Sequence, residues 1–427
     1  MKFVFISRYG LGFSTAYRVQ QEGNEVYFCM LEDDGIMLNT YKGMLKNVVS
    51  DYTSYIDKDT TVVFDSSTNG DSAYWLKKAG YKTFGGSVFA DRVERDRLWG
   101  LLTVAADCGL NIPETRLFTD LNDALVFLRK TKNLKRWVFK PQGFYHESYT
   151  PATAVLSKEY PEDDLEQIFG MFAIGDFILQ EFIPGEEIAW EAWYSEGERV
   201  GDINMTFDGK KLFDHDKGPT VGGTVNVDIV REPETCKIYQ ETCIGIEKLL
   251  KAARYTGPFD LAFIISSEDG KPYFLEFTPR MGYPSSYALF HGTPEVGKVF
   301  YEYAHGKATE RYLDRDKFYA TALLSAAPFP YNPMPRGVPI RFNPAHRDNL
   351  WFQFMIEEQG VIKTAGACAE IAYVCDYGNS LLKVNENILN IMRQVKVPVV
   401  YPLQYREDMV EVTLKRIKAA IATGYVE

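Results

Sequence analysis

Cysteine and histidine are both scarce in this chain, at six and five of 427 residues. Cys29, Cys108, Cys236, Cys243, Cys368 and Cys375 form no Cys-x-x-Cys pair and no metal-type spacing, and no His-x-x-x-His occurs. The pattern reads as reduced, buried thiols in a cytoplasmic protein and argues against a dedicated zinc centre. Long apolar runs are missing as well. No stretch reaches the roughly eighteen residues of a membrane span, and Phe3-Val4-Phe5-Ile6 is too short for a signal-peptide core. Positive charge is in deficit: the net charge of -11 argues against a polyanion such as nucleic acid as a general partner. Phosphate-bearing small molecules stay admissible, because a few local Lys or Arg side chains can invert the field inside a cleft. No internal repeat is visible.

What is present is core material. A hydrophobic share of 46% and an aromatic share of 14% exclude a disordered chain, and this length calls for more than one core. Apolar strands at Val4–Ile6, Glu25–Cys29, Thr61–Asp65 and Tyr81–Gly85 alternate with helices around Ser14–Gln21 and Ser72–Lys78. Such alternation predicts an open parallel α/β sheet. The loop Ser7–Thr15 carries Gly10 and Gly12 but no clear third glycine, so it reads better as a substrate-facing loop than as a dinucleotide fingerprint. Helical spacing follows over Asp91–Gly109. A small α/β module then places helices at Asn122–Lys130 and Asp163–Phe169 and strands at Arg136–Lys140 and Phe177–Ile183. From Ala189 to about Pro279 the pattern is β meander with one helix, Glu232–Ala253. A last unit begins near Lys317 and ends in helices at Val384–Gln394 and Asp408–Ala422.

The candidate chemistry centres on a hairpin. Phe259–Ile265 is one strand, Ser267–Gly270 the turn and Tyr273–Pro279 the return. Alternation puts Leu275 and Phe277 on one face, and Glu276, Thr278 and Arg280 on the other. Matching the apolar faces sets Asp260 near Thr278 and beside Glu276. Two converging carboxylates with a cation nearby suit Mg²⁺ shared with phosphate oxygens. Taken alone, the same hairpin also suits an ordinary amphipathic surface pair. Lys140 ends the apolar strand Trp137–Pro141, where its ammonium can meet phosphates as a point charge. Ile178–Glu187 is an apolar strand that leaves polar groups at its exit, fit for an adenine edge and ribose hydroxyls. The loop Phe213–Thr224 is glycine-rich, and its backbone amides could cradle an anion.

In this order the segments resemble the ATP-grasp superfamily, and within it the phosphoribosylamine–glycine ligase family (glycinamide ribonucleotide synthetase). The similarity is carried by Ala79–Ser87 with Ala90 and Glu94, by Glu181–Glu187, by Asp216–Gly223 and by Phe274–Gly282. Ala320–Tyr331 and Tyr405–Asp408 extend it to the tail. The resemblance implies an α/β and α+β protein: a Rossmann-like pre-ATP-grasp domain over 1–90, an ATP-grasp fold over 91–312 with a nucleotide-covering lobe within 137–185, and a small C-terminal α+β domain over 313–427. It implies ATP and Mg²⁺ (or Mn²⁺), small-molecule carboxylate and amine substrates, no nucleic acid or membrane partner, and a monomer or homodimer. Carried over residue by residue, Lys140 and Arg97 would meet phosphates. Gln180, Glu181, Phe182 and Ile183 would meet adenine, and Glu187 the ribose. Glu276, Asp260 and Thr278 would hold the metal, Arg280 and Lys217 would be catalytic, and Gly10, Gly12, Gly218, Pro219, Thr220, Gly222, Gly223 and Gly282 would face substrates.

This chain also departs from the family pattern. Ser7–Gly12 replaces the usual Gly-Gly-Arg-Glu-His, and Thr278 stands where an Asn is usual. Gly282-Tyr283-Pro284-Ser285 lacks two acids, and Gly143–Tyr149 is poor in glycine for a phosphate-covering loop. The nucleotide-holding strands are kept while the substrate-facing segments have changed. That favours a carboxylate–amine ligase with altered substrates, with the true glycine ligase of purine biosynthesis and a catalytically degenerate ATP-binding regulator as the alternatives.

Overall fold

The N-terminal alternation closes into a parallel sheet. The computed structural model describes residues 1–31, 40–131, 134–142, 153–172, 174–310 and 313–426. Strands β1 (Lys2–Ser7), β2 (Glu25–Met30), β3 (Asn47–Val49), β4 (Thr61–Phe64) and β5 (Lys82–Phe84) pair in the order β3-β2-β1-β4-β5. Every pairing is parallel. Phe3, Val4, Phe5 and Ile6 are all fully buried, as a strand covered on both faces must be. The strand order reverses between β1 and β4, so the loops leaving these two strands open onto the crevice where α/β sheets bind ligands.

A second, four-stranded sheet is antiparallel and joins Thr115–Phe118, Phe177–Glu181, Trp137–Pro141 and Ala154–Val155 in that order. It has a small core of its own, with Leu128, Trp137, Phe139, Leu165, Phe177 and Leu179 buried together. Its first strand precedes the 137–185 stretch expected for this lobe. Thr115–Phe118 is four residues long with no fully buried side chain, so no apolar alternation marks it; its ladder with Phe177–Glu181 defines it. The helical stretch expected over Asp91–Gly109 is also broken. Asp96 leaves helical geometry and caps a new turn by accepting the Trp99 amide at 3.1 Å.

The third sheet has ten strands and is the frame of the molecule. Its main path runs Pro272–Thr278, Gly257–Ser266, Gly185–Ser195, Ile203–Phe213, Lys217–Arg231, Phe318–Ala326, Glu370–Gly378, Leu350–Phe352. The strand Phe318–Ala326 pairs directly with Lys217–Arg231, so the last unit of the chain extends the central sheet. One core joins this C-terminal half to the parallel sheet: Phe5, Phe13 and Phe84 pack in the same cluster as Tyr287, Phe300, Leu324 and Trp351. Helix Lys237–Ala253 covers the other face of the central strands through Ile238, Tyr239, Ile246 and Leu250.

Candidate active site

Three neighbouring strands carry polar residues on one alternating set of positions. Glu187 and Glu191 stand on Gly185–Ser195, Asn204, Thr206, Asp208 and Lys210 on Ile203–Phe213, and Thr224, Asn226 and Asp228 on Lys217–Arg231. Antiparallel pairing sets these side chains on one face. The ladder aligns Glu191 with Asp260 and with Asn204, Thr206 with Asp228, and Asp208 with Asn226. On the outer hairpin Asp260 lies opposite Thr278, the register that matching apolar faces requires. One detail differs from simple alternation. The ladder slips between Ala262 and Phe263, leaving Leu275 unpaired as a bulge. Phe274 and Phe277 take the core positions, and Leu275 is half-buried.

Cations converge on this floor. Burial works against ionised Glu276, but Lys210, Arg97, Lys140 and Arg280 together hold its carboxyl down at about 2. Arg97 approaches it to 4.0 Å. Lys140 is 6% exposed; burial and then Arg97 push its ammonium down to about 8, against the pull of Glu276 and Glu187. Lys210 pairs with Glu187. Burial would lower its pKa, yet Glu187, Glu276 and Asp208 raise it. Behind this front row the acids crowd. Burial pushes Asp208 and Asp228 up to about 7, and Asp260 well above its usual range, with Glu191 and Asp208 adding repulsion. Asp228 Oδ1 accepts Ser285 Oγ and Thr206 Oγ1, each at 2.6 Å, and Asn204 Nδ2 at 3.1 Å. The floor therefore sets carboxyls that burial makes hard to ionise behind Glu276, which surrounding cations hold ionised.

Residues 102–286 match the family model described as the phosphoribosylglycinamide synthetase ATP-grasp (A) domain. Over those residues the chain is similar to that ATP-grasp domain. It is similar to phosphoribosylamine–glycine ligase of Thermotoga maritima, at 29% identity over 166 residues, 37% of this chain and 40% of that protein. The enzyme of the same name from Yersinia pestis is 25% identical over 266 residues, 59% of this chain and 60% of its own length. Those two alignments thus span less than two thirds of either relative. The crystal structure of the Thermotoga maritima ligase superposes with a TM-score of 0.72 at 20% identity, over 96% of this chain and all of that one.

The expected residues of the ATP-binding region sort into three groups. Lys140, Glu187, Arg97, Glu276, Asp260, Thr278 and Arg280 come together at the floor. Gln180, Glu181 and Phe182 line the exit of the small sheet, already engaged: Gln180 Nε2 donates to Thr115 Oγ1 at 3.0 Å, Glu181 pairs with Lys135 at 2.9 Å, and the Phe182 amide donates to Arg136 O at 2.8 Å. Any adenine contact from Phe182 therefore falls to its carbonyl, with Ile183 next in line. Lys217 and the glycine-rich segment form the third group. Lys217 and Gly218 are exposed at a hairpin tip where Lys217 pairs with Phe213. Lys217 is not among the cations that act on Glu276. The second lysine at the carboxylates, beside Lys140, is Lys210, which sequence reading passed over. Only the far end of the segment reaches the floor: a Cβ on Gly223 would lie 2.5 Å from Pro284 Cδ, which brings Gly223 against the turn after Gly282. The Gly143–Tyr149 loop lies outside the described residues.

The contrast between the two lysines is testable. Lys210→Met is expected to lower turnover about a hundredfold, because a cation set among Glu187, Glu276 and Asp208 is lost, whereas Lys217→Met stays within about threefold of wild type. Steady-state ADP release measured on both variants decides it; equal losses would restore Lys217.

The tail motif has a mechanical role. Arg406 is 1% exposed and bonds Asp408 Oδ2 at 2.7 Å, Asp216 Oδ1 at 3.0 Å and Lys211 O at 3.1 Å. The Glu407 amide donates to Asp214, and the His215 amide to Asp408. The closing segment thus clamps the 213–217 turn. Arg406→Met strands the buried carboxylate of Asp408 and is expected to lose about 3 kcal/mol, read as a lowered thermal midpoint, with Asp216→Asn losing far less because Asp216 is half exposed.

Proposed function

We propose that this protein is an ATP-dependent carboxylate–amine ligase acting on substrates other than glycine and phosphoribosylamine. The observation that carries the reading is Glu276, held ionised on the cleft floor by Lys210, Arg97, Lys140 and Arg280. A carboxylate among four cations is a site made for polyphosphate, where fixed charges stabilise a moving phosphoryl group. Lys140 and Arg97 take the phosphates, Lys140 as a point charge and Arg97 as a planar fork. The adenine end belongs to Gln180, Glu181, Phe182 and Ile183, and Glu187 faces the ribose side.

Glu276 and Asp260, with the Thr278 hydroxyl, are the residues that would hold Mg²⁺ or Mn²⁺. The donor set is oxygen only, with Glu276 already ionised and Asp260 a carboxyl that would release its proton on binding the metal, which fits Mg²⁺. Among the described residues no group of three or more acids, histidines or cysteines could hold a metal alone, so the remaining positions fall to phosphate oxygens and water. Bound there, the metal supplies neutralisation of the triphosphate charge.

The γ-phosphoryl group passes to the substrate carboxylate, giving an acyl phosphate and ADP. Arg280, which also bonds Glu94 at 3.1 Å, faces the new phosphate oxygens. The amine then attacks the acyl carbon. A carbon–nitrogen bond forms, phosphate leaves with the bonding electron pair, and the amine proton goes to solvent. Positioning and charge neutralisation carry this chemistry, with no acid–base dyad required.

The test is ADP release with phosphoribosylamine plus glycine beside a panel of carboxylates and amines. Turnover confined to another pair supports the reading. Efficient turnover of phosphoribosylamine and glycine would return the chain to the purine reaction. ATP binding indifferent to Mg²⁺, with no ADP from any pair, would make it a non-catalytic binder. A cytoplasmic location and the division at residues 90 and 312 belong to the same proposal.

A further inference from the structure

Two of the cations assigned to phosphate come from bodies with separate cores. Arg97 stands on a short turn whose neighbours Val93, Leu101 and Val104 pack with Phe259 and Phe277 in the core of the central sheet. Lys140 lies near the end of a strand of the small sheet, whose Trp137 and Phe139 pack among Leu128, Leu165 and Phe177. The bodies meet at Ile178, the ladder partner of Lys140, which reaches the central core. Apolar contact of that kind is non-directional and fixes neither angle nor spacing. Holding Arg97 and Lys140 at the spacing of one polyphosphate calls for a directional contact.

Asp96 makes such a contact. Its backbone, at φ -91° and ψ 75°, ends helix Val88–Arg95, and one oxygen of its side chain accepts two donors. The Trp99 amide lies 3.1 Å from Oδ1, and Gln142 Nε2 lies 3.2 Å from the same atom. The first bond caps the turn that bears Arg97. The second crosses to the small sheet, two residues beyond Lys140. Both ends are firm. A Cβ on Gly100 would lie 2.5 Å from Val93 O, so the turn has no slack against the helix before it. On the other side the Gln142 amide donates to Asp176 O at 2.8 Å. The carboxylate charge is secondary, since Arg92 Nε stands 3.9 Å from Oδ2 with both side chains about half exposed, a pair worth little.

We infer that Asp96 is a positioning residue for nucleotide binding, its Oδ1 fixing Arg97 and Lys140 against each other by way of the Trp99 amide and Gln142. The inference rests on the ligase reading for the identity of the nucleotide. A single oxygen shared by two donors couples the two bodies: with it in place, the cations are set before ATP arrives. Without it, part of the binding energy of ATP is spent on bringing them together, and affinity falls by that amount.

The full-length protein and its variants are titrated with Mg-ATP by calorimetry, the fold of each being checked by its thermal midpoint. Asp96→Asn keeps an oxygen able to accept both donors and should hold the ATP Kd within about twofold of wild type. Asp96→Ser keeps the cap, but its Oγ, one bond nearer the backbone, falls short of Gln142. Its Kd should rise about tenfold with the thermal midpoint near that of wild type. Gln142→Leu should match it, and the double variant should bind no more weakly than either single one, because both changes break the same bond. An unchanged Kd in Asp96→Ser or Gln142→Leu, additive losses in the double variant, or a loss in Asp96→Asn as large as that in Asp96→Ser would each overturn the inference while the ligase reading stood. Wild-type protein that binds no Mg-ATP would defeat both. If Asp96→Ser fails to fold, Gln142→Leu beside Asp96→Asn decides.

Discussion

Glu276→Gln is expected to reduce substrate-dependent ADP release about a thousandfold while leaving the fold intact. The side chain keeps its size and its place on the hairpin, so the core behind it, Phe274 and Phe277, is undisturbed. What is lost is the one carboxylate that four cations hold ionised. Without it the metal would lose its anionic anchor, and Lys210 and Arg97 lose the charge that offsets their mutual repulsion. ATP itself should still bind, and more tightly when metal is absent, because the triphosphate then meets unopposed cations. Calorimetric titration with ATP alone and with Mg-ATP separates the two effects. Near-normal turnover in Glu276→Gln would remove the floor from the mechanism.

The second large effect concerns Lys140. In the ligand-free protein, burial brings its pKa down to about 8 from the ordinary 10.5, and a triphosphate binds the charged form. ATP affinity is therefore expected to be flat below about pH 7 and to weaken by up to tenfold per unit above about pH 8. Lys140→Arg keeps the charge and should abolish that decline. Lys140→Met should weaken ATP about ten- to hundredfold below about pH 7, with the gap to wild type closing as the pH rises past about 8. The linkage sign for folding is the reverse of an ordinary salt bridge. Between pH 8 and 10.5 the unfolded chain holds the proton that folded Lys140 has released, so this residue alone makes stability rise with pH across that window. A pH-independent ATP affinity in the wild type would contradict the assignment.

Much of this was legible in the sequence wherever a local rule determined it. The register of Asp260 against Thr278 follows from alternation plus a turn at Ser267–Gly270, and it held in the ladder. The parallel sheet follows from strand–helix alternation in the same way. The bulge at Leu275 was not legible, because alternation alone cannot say where a strand takes an extra residue. Lys210 was missed for a different reason. The period-two stripe Asn204, Thr206, Asp208, Lys210 is plain in the sequence, but only non-local pairing with Gly185–Ser195 reveals that Lys210 meets Glu187 and Glu276. Lys217 drew notice instead because it stands in a glycine-rich segment, which proved to be an exposed hairpin tip. Asp96 meets Gln142 from 46 residues away in the chain, and no local signal marks that encounter. Thr115–Phe118 had too little buried surface to announce itself as a strand.

The most direct test of carboxylate activation follows the oxygen atoms. The carboxylate that best stimulates ADP release is supplied with ¹⁸O in its carboxyl group, and the phosphate released in the presence of an amine is analysed by mass. An acyl phosphate requires that one carboxyl oxygen leave with the phosphate, so one ¹⁸O per phosphate is the expected result. Phosphate that carries none, released at the same rate as ADP, would mean that ATP is hydrolysed at this site without activating a carboxylate, and the ligase reading would fall.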